Sequence, residues 1–388
     1  MKKVILTAVA LCLLCSCSIE SDQTGTIPIL TWAGMPADKA EECFPIAKEC
    51  GIDWHLGLYG SLEQALHAMD AAAAVGIGVI PGFPEIKDST EYAVSAIKDH
   101  PALIGYHLKD EPETWDVHWL KDLHDKVQSL DSTRPCYINL YPNWAWVEEN
   151  YKANIELYAS EINTQFYSFD QYPVTEKDGE ISVRPTWYRN LEEFSAMARR
   201  HGKPFWAFAL AKSHHLGPPS PPAFYPVPTL GHVRLQVFSD LLYGAQVIQY
   251  FTFGGIYDCK AGKKTPAFEV FRQVNSEIKA YSPVFFGCEV KGVWHTGDEI
   301  PSHTTRLKDM PHERVKSLEV SGEGAVVSLI ENDGRTYLAV QNRDCVNQAF
   351  LDIAFDGRVR MFTVDGPERF DRRTIMLEPG NIAIFILN

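Results

Sequence analysis

The segment LIGYHLKDEPE, residues 103–113, is the most informative stretch of this sequence. Its apolar part, Leu103–Leu108, leads within two residues into Asp110, Glu111 and Pro112. The apolar run predicts a β-strand, and the charges that follow predict that the strand ends where the protein meets solvent. A helix start is the alternative, because acidic residues favour a helix N-terminus and proline favours its first turn.

Short apolar runs alternate with amphipathic helical patterns eight times between residues 29 and 281. The predicted strands are Ile29–Trp32, Trp54–Tyr59, Gly76–Pro81, Leu103–Leu108, Cys136–Leu140, Ile162–Tyr167, Pro204–Leu210 and Gln246–Phe251. The predicted helices are Lys39–Cys50, Leu62–Val75, Glu91–Asp99, Val117–Leu130, Ala145–Tyr158, Tyr188–His201, Leu230–Tyr243 and Ala267–Tyr281. Most of these strands are apolar enough to be covered on both faces. We therefore predict a (β/α)8 TIM barrel over residues 27–284, with functional residues where its strands end.

Glu111 follows the fourth predicted strand of this barrel and is a candidate catalytic acid. The sequence Asp110-Glu111-Pro112 resembles the Asn-Glu-Pro motif of retaining glycoside hydrolases with this fold, whose acid/base glutamate follows the fourth strand. The resemblance covers residues 29–281 in architecture and implies hydrolysis of glycosidic bonds in a carbohydrate substrate, with no organic cofactor. The chain has Asp110 where that family has an asparagine that contacts the sugar, so Asp110 is a substrate-binding candidate.

The second carboxylate of that family follows the seventh strand, and this sequence departs from the pattern. The seventh predicted strand, Pro204–Leu210, has no acidic residue, and no glutamate occurs between Glu193 and Glu269. Glycoside hydrolysis ordinarily needs two acidic groups. The family's usual arrangement is therefore not supported, and another acid is needed.

Asp170 is the preferred second carboxylate. It directly follows the sixth predicted strand in the sequence Phe169-Asp170-Gln171-Tyr172-Pro173, which resembles the Asp-x-Tyr-Pro segment of several barrel glycosidases. Glu85 and Asp258 lie on predicted loops at the same end of the barrel and are alternatives. Asp170 could instead cap a turn through its side chain.

Aromatic residues near the strand ends are candidates for sugar binding, because an aromatic plane covers the apolar C–H face of a sugar ring. The substrate-binding candidates of this type are Trp32, Tyr59, Trp144 and Tyr172. Packing in the core is the alternative for each, since large aromatic side chains are highly buried on average.

The connection after the seventh strand, residues 213–229, is long, and long loops in compact domains tend to be functional. His214 and His215 lie on it and are predicted to hydrogen-bond sugar hydroxyls. Neither this pair nor the pair His118 and His124 has a recognised zinc-ligand spacing. We therefore predict no metal site.

The N-terminus predicts export. Two lysines precede the apolar run Val4–Leu14, which is a signal-peptide pattern too short to span a membrane. The sequence Leu14-Cys15-Ser16-Cys17 resembles the lipobox of bacterial lipoproteins and implies lipidation of Cys17 after removal of residues 1–16. Residues 17–26 would then be a tether, with the protein lipid-anchored in the bacterial cell envelope. Cleavage by ordinary signal peptidase is the alternative.

Six cysteines remain after the signal region: Cys43, Cys50, Cys136, Cys259, Cys288 and Cys345. An exported protein can form disulfides. Cys43 and Cys50 lie two turns apart on one predicted helix, too far for a direct bond. The scattered positions predict buried thiols rather than a disulfide framework, with a Cys259–Cys288 bridge as the open alternative.

The C-terminal part has a different pattern from the barrel. Residues 285–388 predict a small antiparallel β-sandwich domain, from short alternating runs separated by turn signals. Its predicted strands are Ala325–Glu331, Thr336–Gln341, Phe350–Phe355, Arg358–Val364, Thr374–Leu377 and Ile382–Leu387. The formal net charge of −14 argues against a nucleic-acid partner, which would need a basic surface.

Together these features predict an exported glycoside hydrolase-like protein with Glu111 and Asp170 as its catalytic carboxylates. The missing acid after the seventh strand leaves a second hypothesis, a degenerate barrel that binds glycans without cleaving them. A lyase or esterase acting on acidic sugars is a third.

Overall fold

A computed structural model describes residues 25–143, 148–215 and 224–388. Trp144, Cys17, the proposed signal peptide and most of the proposed tether lie outside the described residues, so the predictions made for them stay predictions. Within the described ranges, no helix is both long enough and apolar enough to cross a bilayer.

Eight parallel strands form the first sheet, as the sequence predicted. They are β1 Ile29–Trp32, β2 Trp54–Leu58, β3 Gly78–Gly82, β4 Tyr106–Asp110, β5 Cys136–Leu140, β6 Tyr167–Phe169, β7 Phe205–Leu210 and β8 Val247–Phe251. The hydrogen-bonded order is β3-β2-β1-β8-β7-β6-β5-β4. The ring closes just before β4, where the Ile104 amide donates to the Val79 carbonyl at 3.0 Å. The predicted (β/α)8 barrel is confirmed.

Helices cover the outside of this ring. They are α1 Ala40–Glu49, α2 Leu62–Ala74, α3 Pro84–Asp88, α4 Thr90–Ile97, α5 Val117–Leu130, α6 Glu148–Glu161, α7 Trp187–Arg200, α8 Leu230–Leu242 and α9 Phe268–Phe285. Side-chain caps mark the first residues of two helices. The Ser61 hydroxyl accepts from the Gln64 amide at the start of α2, and the Thr229 hydroxyl accepts from the His232 amide at the start of α8.

Two loops at the mouth of the barrel, the end where its strands finish, pair with each other. The loop after β6 contains the antiparallel strands Val174–Lys177 and Glu180–Val183, and the loop after β7 contains His214–His215 and Phe224–Tyr225. The four form one small sheet beside the mouth. A shorter pair, Tyr257–Asp258 with Lys263–Lys264, follows β8.

The C-terminal part is an antiparallel β-sandwich, which confirms the prediction. Its strands are β9 Glu289–His295, β10 Val315–Val320, β11 Ala325–Asn332, β12 Arg335–Asn342, β13 Ala349–Phe355, β14 Val359–Thr363, β15 Gly366–Phe370, β16 Thr374–Leu377 and β17 Ile382–Ile386. One sheet has the order β9-β11-β12-β17-β14-β15 and the other β10-β13-β16. An apolar core that includes Val327, Phe385 and Leu351 lies between them. The opposite face of the larger sheet, with Val326 and Ile384, belongs to the barrel's own core.

The cysteine prediction was wrong in one respect. Cys43 on α1 and Cys259 after β8 form a disulfide, with Cα atoms 6.3 Å apart. They are 216 residues apart in sequence, and only the closure of the barrel brings α1 beside the loop after β8. Of the other cysteines in the described part, Cys50, Cys136 and Cys345 are buried free thiols and Cys288 is a partly buried one.

Candidate active site

A β-bulge in β4 directs two polar side chains into the barrel. His107 pairs with Tyr137 of β5, but the register then shifts, so that Asp110 pairs with Asn139. Without the shift, strict alternation along the strand would send the side chains of His107 and Asp110 to opposite faces. The extra residue puts both on the inner face.

Glu111 immediately follows this strand in a left-handed conformation. Its φ angle is +45°, a region that side-chain-bearing residues enter only at a cost. Its amide donates to the Asn139 carbonyl at 2.9 Å, which fixes the backbone as the chain leaves the barrel. The next helical turn begins only at Thr114 and α5 at Val117. Glu111 is therefore at the mouth and not in a helix, which removes the helix-start alternative.

Asn139 on β5 links the two neighbouring carboxylates. Its side-chain nitrogen donates to Asp110 Oδ1 at 3.1 Å and to Asp170 Oδ1 at 2.8 Å. Because both oxygens lie within about 3 Å of one atom, Asp110 and Asp170 face each other across the mouth. Asn139 was not among the sequence candidates, although an asparagine near the end of the apolar strand Cys136–Leu140 is a polar residue that needs a partner.

A hydrogen-bonded chain below the mouth holds Asn139 in this orientation. The Ser168 hydroxyl donates to the Asn139 side-chain oxygen at 2.8 Å and accepts from Gln249 at 2.9 Å. The Tyr137 hydroxyl donates to the Gln249 side-chain oxygen at 2.7 Å. All four side chains are buried. The asparagine nitrogen therefore points toward the carboxylates, because its oxygen is already engaged.

Glu111 has the electrostatic environment of an acid that holds its proton near neutral pH. Burial and the nearby charges of Asp110 and Glu113 raise its pKa from 4.5 to about 7. In the described ranges, no ion pair involves Glu111, so no cation offsets these effects.

Asp170 is more deeply placed than Glu111. Burial and the charges of Glu111 and Asp110 raise its pKa well above the usual range, while hydrogen bonds from Asn139 and Tyr172 oppose that rise. Burial also raises the pKa of Asp110. Three carboxyl groups this close cannot all be ionised near neutral pH without a large electrostatic cost. Each of the three therefore holds its proton to a higher pH than an isolated carboxyl group does.

An aromatic wall lies on the β1, β6 and β8 side of the mouth. The Trp32 and Tyr172 rings each lie 5.4 Å from the Phe251 ring, measured between centroids. His214 packs against Phe251 at 5.8 Å and against Tyr225 at 4.7 Å. The structure thus brings together Trp32, Tyr172 and His214. Tyr172 also hydrogen-bonds Asp170, which joins this wall to the carboxylates. Phe251 and Tyr225 were not among the sequence candidates.

Two predicted binding residues are not part of this wall. Tyr59 is 7% exposed and packs in the layer between strands and helices, with its ring over Gly57, where a β-carbon would collide with it. Side chains alternate between the two faces of a strand. Tyr59 comes two residues after Gly57, which faces outward, so Tyr59 also faces away from the barrel interior. His215 is exposed and its ring lies 5.9 Å from that of Phe224.

The alternative acids have local structural contacts. One Glu85 oxygen accepts from the Leu62 amide at 3.3 Å, at the start of α2. Asp258 accepts from the amides of Lys260 and Ala261, which closes its own turn. Over the described part of the chain, no group of three His, Cys, Asp or Glu side chains has a metal-binding arrangement.

Comparison with solved structures finds proteins of similar fold at low sequence identity. No family model and no curated protein sequence matches the chain. The alpha-glucosyl transfer enzyme XgtA aligns over 93% of this chain and 98% of its own, at 8% identity and a TM-score of 0.49. An alpha-fucosidase from Thermotoga maritima, in complex with fucose, covers 91% and 80%, at 8% identity and 0.47. The catalytic domain of a beta-amylase from Paenibacillus polymyxa covers 64% and 97%, at 7% identity and 0.44.

Proposed function

We propose that this protein hydrolyses glycosidic bonds with Glu111 as general acid and Asp170 as its partner carboxylate. The observation that carries the proposal is the convergence of Asp110, Glu111 and Asp170 at the carboxyl ends of β4 and β6. Barrel enzymes place their chemistry at this end. Glycoside hydrolysis needs one carboxyl group that is protonated and another that is ionised.

The two carboxyl groups take different parts in the reaction. Glu111, with its pKa raised to about 7 by burial and neighbouring charge, gives its proton to the glycosidic oxygen as the bond to the anomeric carbon breaks. Asp170 acts in its ionised form, which the hydrogen bonds from Asn139 and Tyr172 favour against the net rise that burial and the neighbouring carboxylates give its pKa. It either attacks the anomeric carbon or takes a proton from the attacking water.

The aromatic wall would hold the sugar beside these groups. Trp32, Tyr172 and Phe251 present ring surfaces to the mouth, and His214 adds a hydrogen-bonding group whose Nδ1 is engaged with the Lys212 carbonyl at 2.8 Å. An aromatic surface covers the C–H face of a sugar, while polar groups at its edge bind hydroxyls.

The test is turnover of a panel of glycans and aryl glycosides by the wild-type protein and by Glu111→Gln and Asp170→Asn. We expect hydrolysis by the wild type and loss of it in both variants. Glu85→Gln is the matched control, because Glu85 lies at the same end of the barrel but contacts the start of α2. Equal activity in Glu111→Gln and the control would overturn the assignment. The anomer formed first, followed by NMR, separates retention from inversion.

A glycan-binding barrel without turnover is the second candidate. The observation that favours it is β7, which contributes Trp206, Phe208 and Leu210 to the barrel interior and no acid. This candidate predicts that the wild type and Glu111→Gln bind the same glycans and that neither releases product.

We also propose that the protein lies outside the cytoplasm, held to a membrane of the cell envelope by lipid on Cys17. The signal-peptide pattern and the lipobox-like sequence Leu14-Cys15-Ser16-Cys17 support this. Metabolic labelling with a radioactive fatty acid should mark the wild type and not Cys17→Ala. Equal labelling of both would reject the anchor.

A further inference from the structure

Trp115 is the most exposed large hydrophobic side chain in the described ranges, with 73% of its surface accessible. Tryptophan is normally among the more buried residue types. Trp119, one helical turn further along, shows the usual situation. Its indole nitrogen donates to Asp116 at 2.8 Å, and the Lys87 ammonium lies 4.5 Å from its ring centre.

The turn that carries Trp115 is held by hydrogen bonds from its neighbours in sequence and from α6. The Glu113 amide donates to Asp116 Oδ2 at 2.9 Å, and the Glu113 carbonyl accepts from the Tyr158 hydroxyl at 2.7 Å. The Thr114 hydroxyl donates to Asn154 at 3.0 Å. Tyr158 and Asn154 belong to α6 and are buried. The chain thus fixes the backbone on both sides of an indole that it leaves in solvent, which reduces the entropy lost when a ligand contacts that ring.

The same turn adjoins the carboxylates. Trp115 is four residues from Glu111, so their α-carbons are at most about 14 Å apart. Glu113 lies between them and accepts from the Tyr141 hydroxyl at 3.4 Å. Glu113 is also close enough for its charge to act on Glu111. An exposed ring therefore lies on the segment that connects the candidate catalytic groups at the end of β4 to α5.

We propose that Trp115 is the stacking platform of a second sugar subsite, so that the substrate is an oligosaccharide or polysaccharide that extends across the mouth. The inference rests on the proposed function. One sugar ring would lie at the carboxylates against the aromatic wall, and another would lay its C–H face on the Trp115 indole while its hydroxyls stay in water. A single exposed ring fits one sugar unit, whereas a protein partner would need a much larger apolar patch.

The experiment compares substrates of increasing length in Trp115→Ala. We expect kcat/KM for an oligosaccharide of four or more units to fall about tenfold, a typical effect of removing a tryptophan from a binding site. The kcat/KM for a short aryl glycoside should stay unchanged, because that substrate does not reach the second subsite. Tyr92→Ala is the matched control, since Tyr92 is 66% exposed on α4.

The outcomes separate this inference from the proposed function. If Trp115→Ala hydrolyses long and short substrates as the wild type does, the subsite is rejected and the hydrolase remains. If the wild type hydrolyses nothing, the proposed function fails, and calorimetric titration with the same oligosaccharides decides the subsite. Binding that weakens in Trp115→Ala and not in Tyr92→Ala supports it. Equal binding by both variants, or none by the wild type, rejects it.

Discussion

Two groups of charged residues in this protein are arranged in opposite ways. At the mouth, Asp110, Glu111 and Asp170 face one another, and no ion pair in the described residues involves them. Between the barrel and the sandwich, Arg234 of α8 is paired on both sides. It donates to Glu277 of α9 at 2.9 and 2.6 Å and to Glu378 beside the sandwich.

The two arrangements have different consequences for stability and for protonation. Arg234 has a side chain 6% exposed, and its two partners satisfy the charge that burial would otherwise leave uncompensated. Such a pairing links α8, α9 and the sandwich, and it needs no change of protonation. The mouth instead concentrates like charges, which raises the pKa of each carboxyl group. That arrangement costs stability and raises the pKa of Glu111 to about 7.

Glu111→Gln should give the largest effect, a loss of turnover of at least about 100-fold, because it removes the proposed general acid. The same change should raise the thermal unfolding temperature at pH 7. With its pKa raised from 4.5 to about 7, native Glu111 binds a proton more tightly than in the unfolded chain. Its ionisation therefore lowers stability as pH rises through that window.

The stability difference between wild type and Glu111→Gln should therefore shrink as the pH falls and disappear below about 4.5. Calorimetry at several pH values measures it. If the variant is less stable than the wild type at pH 7, the contacts of the Glu111 carboxylate stabilise the fold by more than its charge destabilises it.

Arg234→Met should lower the free energy of unfolding by about 3 kcal/mol, since it leaves Glu277, whose side chain is only 12% exposed, without its cation. Urea unfolding at pH 7 measures the change, and kcat at low temperature should stay near the wild-type value because the mouth is not touched. Arg272→Met is the control. Arg272 is exposed and pairs with Glu269, so its loss should have no measurable effect. An equal loss of unfolding free energy in the two variants would show that the ion pairs of Arg234 contribute no more to stability than an exposed pair does.

Asn139→Ala should reduce kcat/KM about tenfold through loss of its hydrogen bonds to Asp110 and Asp170. Those bonds lower the pKa of both carboxyl groups, so their removal should move the acid limb of the pH profile to higher pH. Asn143→Ala is the control, because Asn143 follows the same strand but donates to the Thr186 carbonyl. An acid limb that moves equally in both variants would mean a general disturbance of the barrel.

Asp110→Asn should have the smallest effect, a shift of the alkaline limb of the pH profile to lower pH. After burial, the charge of Asp110 is the largest contribution to the raised pKa of Glu111. Removing it lets Glu111 lose its proton earlier. If the alkaline limb of the pH profile does not move in Asp110→Asn, the charge of Asp110 does not act on the pKa of Glu111. If the variant loses as much activity as Glu111→Gln, Asp110 is the partner carboxylate in place of Asp170.

Elements with strong local periodicity were predicted closely. Helix α5 spans Val117–Leu130 in both the prediction and the structure. Strand β6 was placed at Ile162–Tyr167 but spans Tyr167–Phe169. The apolar Ile162 directly follows α6 and is buried against the core. Burial of a helix end and burial of a strand leave the same apolar signal in a short run.

The direction of side chains was predicted less well than their position along the chain. Tyr59 was expected at the mouth but faces the helices, whereas Phe251 faces the mouth and was not proposed. Strand β4 was expected at Leu103–Leu108 and spans Tyr106–Asp110. Its bulge depends on how β4 pairs with β5, which no local pattern records.

The barrel, the sandwich and the positions of Glu111 and Asp170 after the fourth and sixth strands could be predicted from the sequence, because periodicity and chain order are local properties. The folded structure was needed to find that Asp110 turns inward, that Asn139 links it to Asp170, and that Cys43 bonds to Cys259. Each of these depends on strand register or ring closure. Such contacts join residues distant in sequence, so their geometry exists only once the chain has folded.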